Sequence, residues 1–360
     1  MNLGKIFLAS TSIVACIALS IDARAIDDVV TQSVSAATPA ATRPATPPAI
    51  PPAPIVAGHL YDRIAVVGAS ASDGFGVSVR ADAPPVDLTA PVDPNAKPNV
   101  AKKPTPVQLN LSDILRYAAN ESSSDDTHSP RVIMHHYSSG FFFMNPGPKG
   151  RGEIYRALKI KPTLVLGLDF LFWYVYGTVT AEGKPMTTGA DRFSNLELGL
   201  EQLDRIVNAG IPLVIADIAD MHDAIGKMLS ENQVPDVQTI ENANTRIMEW
   251  VKARPLVKIM PLSQILETLK KGGSIDLAGK SWNPAELGEL LQDDQLHPTF
   301  AGTVVIAAGL IDLAKTNDPA TPPPFDFDPK LIRERVLEKA AAKKEVKAES
   351  KTTEESTATH

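Results

Sequence analysis

Residues 64–76 form the stretch that most constrains how this chain can fold. They read Ile-Ala-Val-Val-Gly-Ala-Ser-Ala-Ser-Asp-Gly-Phe-Gly. The four leading apolar residues, three of them β-branched, predict a buried parallel strand that stops at Gly68. A strand that ends in glycine and small residues is typical of α/β folds, which bind ligands at the carboxyl ends of their strands. Ser70 is the side chain placed there, and it is a candidate nucleophile if a base and an acid come from elsewhere.

Further apolar runs and helical patterns alternate along the chain. The predicted strands are 64–67, 132–134, 162–169, 211–217 and 257–260, and the predicted helices are 109–120, 195–208, 240–251 and 298–315. We expect Ser112 to cap the first of these helices and Pro298 to begin the last. Because the connections are long enough for crossovers, the pattern predicts a three-layer α/β/α fold with a parallel, flavodoxin-like sheet of about five strands.

The first 25 residues are typical of a secretory signal peptide. Lys5 precedes an apolar segment at 6–21, and Ala-Arg-Ala at 23–25 fits a small-x-small cleavage site. The apolar run is too short for a stable membrane span. Cys16, the only cysteine, lies in a sequence that loosely resembles a lipoprotein box, so lipid anchoring is an alternative. In either case we expect an exported protein, periplasmic or secreted, without a disulfide.

Composition divides the remaining chain into segments. Residues 26–57 are rich in proline and alanine and predict a flexible linker, and 58–318 predict one folded domain with a Pro-rich insertion at 81–108. Residues 319–360 predict a charged tail, partly helical or disordered. The net charge of −7 and the lack of an obviously basic face argue against a nucleic-acid partner. Oligomeric state is left open.

A second polar block, Asp294-Gln-Leu-His297, lies near the end of the predicted domain. Serine is a weak nucleophile until an imidazole takes its proton, and that imidazole needs a carboxylate on its other nitrogen. One tight turn can bring Asp294 to His297 while the ring faces Ser70. The alternatives are an ordinary turn serine, a helix-capping Asp–His pair, or a role for Asp293 in place of its neighbour.

These two blocks resemble those of the SGNH, or GDSL, hydrolases. Gly-Ala-Ser-Ala-Ser-Asp-Gly at 68–74 resembles the opening block with its nucleophilic serine, and Asp294-Gln-Leu-His297 resembles the closing D-x-x-H block. The resemblance spans about 61–314. It implies Ser70 as nucleophile, His297 as base and Asp294 as its orienting acid. It also implies an oxyanion hole formed by the Ser70 and Gly140 N–H groups and the residue at position 169.

The chain departs from the family pattern at two positions. Ala69 replaces the usual aspartate of the first block, and Asp169 stands where the third block has asparagine. An amide can donate to an oxyanion, whereas an ionised carboxylate only accepts. Three possibilities follow: Asp169 is ionised and the reaction is slow, Asp169 is kept protonated and donates, or another amide such as that of Asn195 takes its place.

Other polar and aromatic groups have simpler interpretations. We expect the aromatic runs 141–143 and 170–176 to form core or pocket wall, and the histidines 135 and 136 to be structural. Four residues have side chains of the kinds that bind metals: Asp217, Asp220, His222 and Asp223. Their spacing matches no known metal-binding motif. We therefore expect neither a metal nor a cofactor.

The sequence predicts an exported serine esterase that acts on a small-molecule, glycan or lipid ester through an acyl-enzyme. O-acetyl groups on a glycan and lipid esters are equally compatible with it. Two rival hypotheses are an inactive relative that binds a glycan or partner in the cell envelope, and an envelope structural protein. The first follows from Ala69 and Asp169, and the second from the linker and tail.

Overall fold

The structure is a computed structural model that describes residues 59–81, 105–119, 132–180, 182–277, 279–283, 285 and 290–357. The predicted signal peptide, Cys16, the linker at 26–57 and most of the Pro-rich insertion lie outside these residues. Within the described ranges, no helix is both long and apolar enough to cross a membrane.

Nine strands and eight helices are named in chain order. The strands are β1 (Arg63–Val66), β2 (Ser78–Val79), β3 (Val107–Gln108), β4 (Ile133–His136), β5 (Leu164–Gly167), β6 (Leu213–Ala216), β7 (Val257–Met260), β8 (Ile275–Leu277) and β9 (Lys280–Trp282). The helices are α1 (Leu111–Ala118), α2 (Pro146–Lys159), α3 (Phe172–Val175), α4 (Gly189–Asn208), α5 (Val237–Lys252), α6 (Leu262–Lys270), α7 (Phe300–Lys315) and α8 (Pro329–Thr357).

Five strands build one parallel sheet in the order β4-β1-β5-β6-β7. Alternate residues of β1 face opposite layers: Ala65 packs in the cluster of α2, α4 and α5, whereas Ile64 and Val66 pack in the cluster of α1 and α7. Apolar side chains on both faces explain why the strands read as continuous apolar runs. The prediction of a three-layer α/β/α fold with a five-stranded parallel sheet is confirmed.

Two predicted helix starts are wrong. The cap of α1 is Asn110, whose side chain accepts from the Asp113 N–H at 2.9 Å, while Ser112 is buried inside the helix. The last predicted helix begins at Phe300, after Pro298, because Thr299 Oγ1 accepts the Gly302 N–H at 3.1 Å. In both cases a neighbouring side chain satisfies the free N–H groups of the first turn.

The sequence analysis did not predict α2. Its glycines and prolines disfavour helix in isolation, so packing must stabilise it. Gly150 lies so close to the core that a Cβ atom would be 2.3 Å from the Tyr174 hydroxyl. The small residue is therefore what lets α2 pack closely against α3 and α4.

The aromatic runs only partly form the core. Phe170, Tyr174 and Tyr176 are fully buried, as expected for a core position. Of the run 141–143, Phe142 is buried but Phe141 is 65% exposed. The run therefore contributes one core side chain and is not a continuous wall.

Helix α8 extends the folded part beyond residue 318, where the sequence analysis ended the domain. Ile332 and Val336 are fully buried in the same cluster as α1 and α7. Arg335 Nη1 donates to the Tyr117 carbonyl at 2.6 Å. The first turns of α8 are thus part of the core, because its apolar stripe covers α1.

Candidate active site

Ser70 lies in a tight turn directly after β1. Gly68 has φ of +141°, and a Cβ there would lie 2.3 Å from Asp169 Oδ1. Only glycine fits this position without strain. The turn closes with hydrogen bonds from the Asp73 N–H to the Ala69 carbonyl at 2.8 Å and from the Phe75 N–H to the Ser70 carbonyl at 2.9 Å. The half-buried Ser70 side chain is presented at the carboxyl edge of the sheet.

Asp169, which follows the neighbouring strand β5, braces this turn. Its carboxylate accepts the N–H groups of Ala69 at 2.9 Å, Ala71 at 2.8 Å and Ser72 at 3.3 Å. It also accepts the Ser72 hydroxyl at 2.6 Å. Both oxygens are therefore used as acceptors for the turn. This arrangement contradicts the expectation that Asp169 donates to an oxyanion.

Asp294 and His297 meet Ser70 from the other end of the domain. His297 Nε2 lies 2.8 Å from Ser70 Oγ, and His297 Nδ1 lies 2.7 Å from Asp294 Oδ2. The three polar groups form one hydrogen-bonded chain, although Ser70 and His297 are 227 residues apart. The neighbouring Asp293 is exposed, and Asp294 is the carboxylate beside the ring.

The loop that carries the histidine is held by its own hydrogen bonds. Asp294 Oδ1 accepts the N–H groups of Leu296 and His297, both at 2.9 Å, and Gln295 adopts a positive φ of 59°. Gln292 Nε2 donates to the Phe75 carbonyl at 2.7 Å and so ties the loop to the serine turn. The helix-capping alternative for Asp294 does not hold for α7, whose cap is Thr299.

The loop also sets the charge of Asp294. Burial raises the pKa of this carboxyl, but hydrogen bonds from the His297 and Leu296 N–H groups and from the His297 ring outweigh it. The net effect holds the pKa of Asp294 below its usual range. The carboxylate is therefore ionised at neutral pH and fixes the ring with its Nδ1 proton toward Asp294. The Phe75 ring covers the imidazole, with ring centroids 4.5 Å apart.

The predicted oxyanion donors differ in their availability. Within the part of the chain that the structure describes, the Ser70 N–H has no hydrogen-bond partner. The Gly140 N–H, in contrast, donates to Asp73 Oδ2 at 2.7 Å. The other Asp73 oxygen lies 2.8 Å from His136 Nε2. The Asp73 carboxylate thus already accepts a hydrogen bond from one of the two backbone N–H groups that are predicted to bind the oxyanion.

Asn195 does not replace the missing amide. Its side chain is 1% exposed, and its Nδ2 donates to the Tyr174 carbonyl at 2.9 Å inside the core. This possibility from the sequence analysis is wrong, because the buried amide already donates to the Tyr174 carbonyl.

Sequence reasoning missed two acidic groups near Ser70. One is Asp73, described above, and the other is Glu153 of α2, whose Oε2 accepts the Gly68 N–H at 2.8 Å. Burial raises the pKa of Glu153 to about 9, against the hydrogen bond from Gly68 and with the help of the charge on Asp169. Glu153 is therefore protonated at neutral pH. The sole local signal for Glu153 is that it is the one acidic residue in a basic, glycine-rich segment.

The acidic group around residue 220 is held by other partners. Asp217 accepts the Ser263 N–H at 2.8 Å, Asp220 contacts His222 at 2.5 Å, and Asp223 pairs with Lys270 at 2.7 Å. Among the described residues, no group of three or more histidine, cysteine or acidic side chains is arranged to hold a metal ion.

No known family model matches the chain, and no curated protein matches it. Two solved structures show weak similarity. A gut microbial diltiazem-metabolizing enzyme is 12% identical with a TM-score of 0.39, and the match covers 70% of this chain and 46% of the enzyme's chain. The second is the psychrotrophic esterase EstA from a Pseudoalteromonas species, in a structure inhibited by monoethylphosphonate. It is 15% identical with a TM-score of 0.34, and the match covers 71% of this chain and 97% of the EstA chain. This chain thus spans about half the length of the first.

Proposed function

We propose that this protein is an exported serine hydrolase of the SGNH type that cleaves an ester through an acyl-enzyme. The observation that carries the proposal is the hydrogen-bonded chain from Ser70 Oγ through His297 to Asp294. Such a chain is what an alcohol nucleophile requires.

The geometry supports a two-step reaction. Ser70 Oγ attacks the ester carbonyl while His297 Nε2 takes its proton, and Asp294 stabilises the imidazolium. The same imidazolium then gives its proton to the departing alkoxide, which leaves as the alcohol. In the second step His297 takes a proton from water, which attacks the acyl carbon. The bond between the acyl carbon and Ser70 Oγ then breaks, His297 returns the proton to Oγ, and the carboxylic acid leaves.

The oxyanion is stabilised by backbone donors in this proposal. The Ser70 N–H is free to receive it, whereas the Gly140 N–H becomes available only when Asp73 moves away. One oxyanion donor is typically worth ~10²- to 10³-fold in rate. We therefore expect turnover that is slow unless substrate displaces the Asp73 carboxylate.

The test uses the full chain and a p-nitrophenyl ester, with Ser230→Ala as the control. Ser230 is an exposed serine that caps a short helical turn and does not line the cavity beside Ser70. We expect Ser70→Ala to lose hydrolysis and fluorophosphonate labelling by at least ~10³-fold, and Ser230→Ala to keep both. Folded wild-type protein that neither hydrolyses esters nor accepts the label contradicts the proposal.

The contact between Asp73 and Gly140 favours a second candidate function. A carboxylate held at an oxyanion donor opposes acyl transfer, so the protein would bind a glycan or a partner of the cell envelope without cleaving it. In that case the wild-type protein and Ser70→Ala bind the same ligand with equal affinity, and neither releases an alcohol. Calorimetry with both proteins, alongside the hydrolysis assay, separates the two functions.

A further inference from the structure

An apolar cavity opens beside Ser70 and His297. The space inside it that the centre of a water molecule can reach is about 90 Å³. The far wall is built by α6, β8 and α7 and includes Ile265, Leu269, Leu277, Val305 and Ile306. The cavity therefore leads from the serine into the space between these elements and the sheet.

Among the described residues, helix α6 leaves part of its apolar surface open to this cavity. Its apolar residues follow helical spacing at 262, 265, 266 and 269, which is the pattern of a helix that packs on a core. Yet Leu269 is the only buried residue of the helix, and Leu262, Ile265 and Leu266 remain partly exposed. These three side chains pack in part against the core clusters and also line the cavity, so the apolar stripe of α6 keeps a surface that a ligand can contact.

The chemistry of the wall selects the kind of ligand. Among the residues that the structure describes, the polar side chains that line the cavity are Ser70, Asp169 and His297, and all three lie at its active-site end. The described wall beyond them is apolar. A sugar buried there would leave its hydroxyl groups without hydrogen-bond partners, which is costly. An aliphatic chain would gain from the same surface.

We infer that this cavity binds the acyl chain of the ester, so that the preferred acyl group has several carbons and is not acetyl. The inference rests on the proposed function, because it takes Ser70 as the nucleophile. With the ester carbon bonded to Ser70 Oγ, the chain runs into the cavity and the alcohol leaves toward solvent. Among the substrates that the sequence left open, this selects lipid-like acyl esters over acetylated glycans.

The first experiment compares p-nitrophenyl acetate, butyrate and octanoate. We expect kcat/KM to rise by about three- to fourfold for each methylene group that enters the cavity. Ile265→Trp fills the cavity and should reduce the ratio of octanoate to acetate hydrolysis by at least ~10-fold. Met248→Trp places the same side chain on an exposed position of α5 and should keep the wild-type ratio. Acetate as the best substrate would overturn the inference.

The second experiment separates this inference from the proposed function. Ser70→Ala, which cannot form an acyl-enzyme, is titrated with the fluorescent fatty acid cis-parinaric acid and then with octanoate as competitor. We expect saturable binding that Ile265→Trp or, if that variant is unstable, Ile306→Trp weakens at least ~10-fold. Binding without any hydrolysis keeps the cavity site and removes the hydrolase. Hydrolysis of acetate without fatty-acid binding keeps the hydrolase and removes the cavity site.

Discussion

Two aspartates near Ser70 have opposite effects on the proposed reaction. Asp169 holds the serine turn by accepting three N–H groups and one hydroxyl. Asp73 accepts the Gly140 N–H, which the family resemblance assigns to the oxyanion. The position that the sequence analysis regarded as the obstacle is therefore structural, and the obstacle lies three residues after the serine.

Removing the Asp73 carboxylate should increase activity. Asp73→Ala frees the Gly140 N–H and removes a negative charge from the oxyanion site, so we expect kcat/KM to rise by up to about a hundredfold. Asp312→Ala, an exposed aspartate on α7, is the control. Steady-state kinetics on a p-nitrophenyl ester measure the effect. If activity and melting temperature fall together, Asp73 instead stabilises the turn through His136.

Introducing at position 169 the asparagine that SGNH hydrolases have should reduce activity. In Asp169→Asn an NH₂ group replaces one acceptor oxygen and faces the N–H donors of the turn. We expect a loss of roughly 1–3 kcal/mol in the free energy of unfolding and at least ~10-fold in kcat/KM. Urea denaturation and kinetics, with Asp312→Asn as the control, measure both. Higher activity would mean that residue 169 faces the oxyanion after all.

At the scale of elements, α8 connects the end of the described chain to the start of the domain. It covers α1 through Ile332 and Val336, and Arg333 Nη2 donates to the Arg80 carbonyl beyond β2 at 2.9 Å. Because β2 follows directly from the serine turn, α8 supports the layer on which that turn rests. The element that composition marks as a tail is thus part of the scaffold.

Truncating one buried side chain of α8 tests this role. Ile332→Ala should lower the free energy of unfolding by roughly 2–5 kcal/mol, because it leaves a cavity in the α1–α7–α8 cluster. Glu334→Ala, an exposed neighbour on the same helix, should change it by less than about 0.5 kcal/mol. Chemical denaturation measures both variants. Equal stability of the two would show that α8 does not pack on the domain in solution.

At the scale of the whole molecule, Glu153 makes stability depend on pH. Its side chain is fully buried between α2 and the serine turn, and its pKa is raised from 4.5 to about 9. The folded protein therefore keeps a proton that the unfolded chain releases above its ordinary pKa. The contribution of this proton to the free energy of unfolding is fully present below about pH 4.5 and is lost as pH rises toward 9.

Glu153→Gln should remove this pH dependence. Glutamine can accept the Gly68 N–H as the protonated acid does, but it has no proton to lose. We expect the variant to gain stability over the wild type by about 1.4 kcal/mol for each pH unit between the two pKa values. Urea denaturation at about pH 5 and pH 8 measures the difference, with the exposed Glu241→Gln as the control. Parallel pH profiles would show that Glu153 is already ionised in the folded protein.

The sequence by itself determined the sheet, its five parallel strands and the locations of Ser70, Asp294 and His297, the positions that the structure brings together. These features carry local signals: a strand buried on both faces must be continuously apolar, and a turn after it must contain glycine. The tertiary structure alone decided which acid meets which backbone N–H, and that α2 and α8 are packed helices. Those contacts join distant segments, so no local pattern records them. The glycine-rich α2 is stabilised by its packing partners, whereas α8 is made of residues that favour helix, and only the fold decides which of its faces is buried.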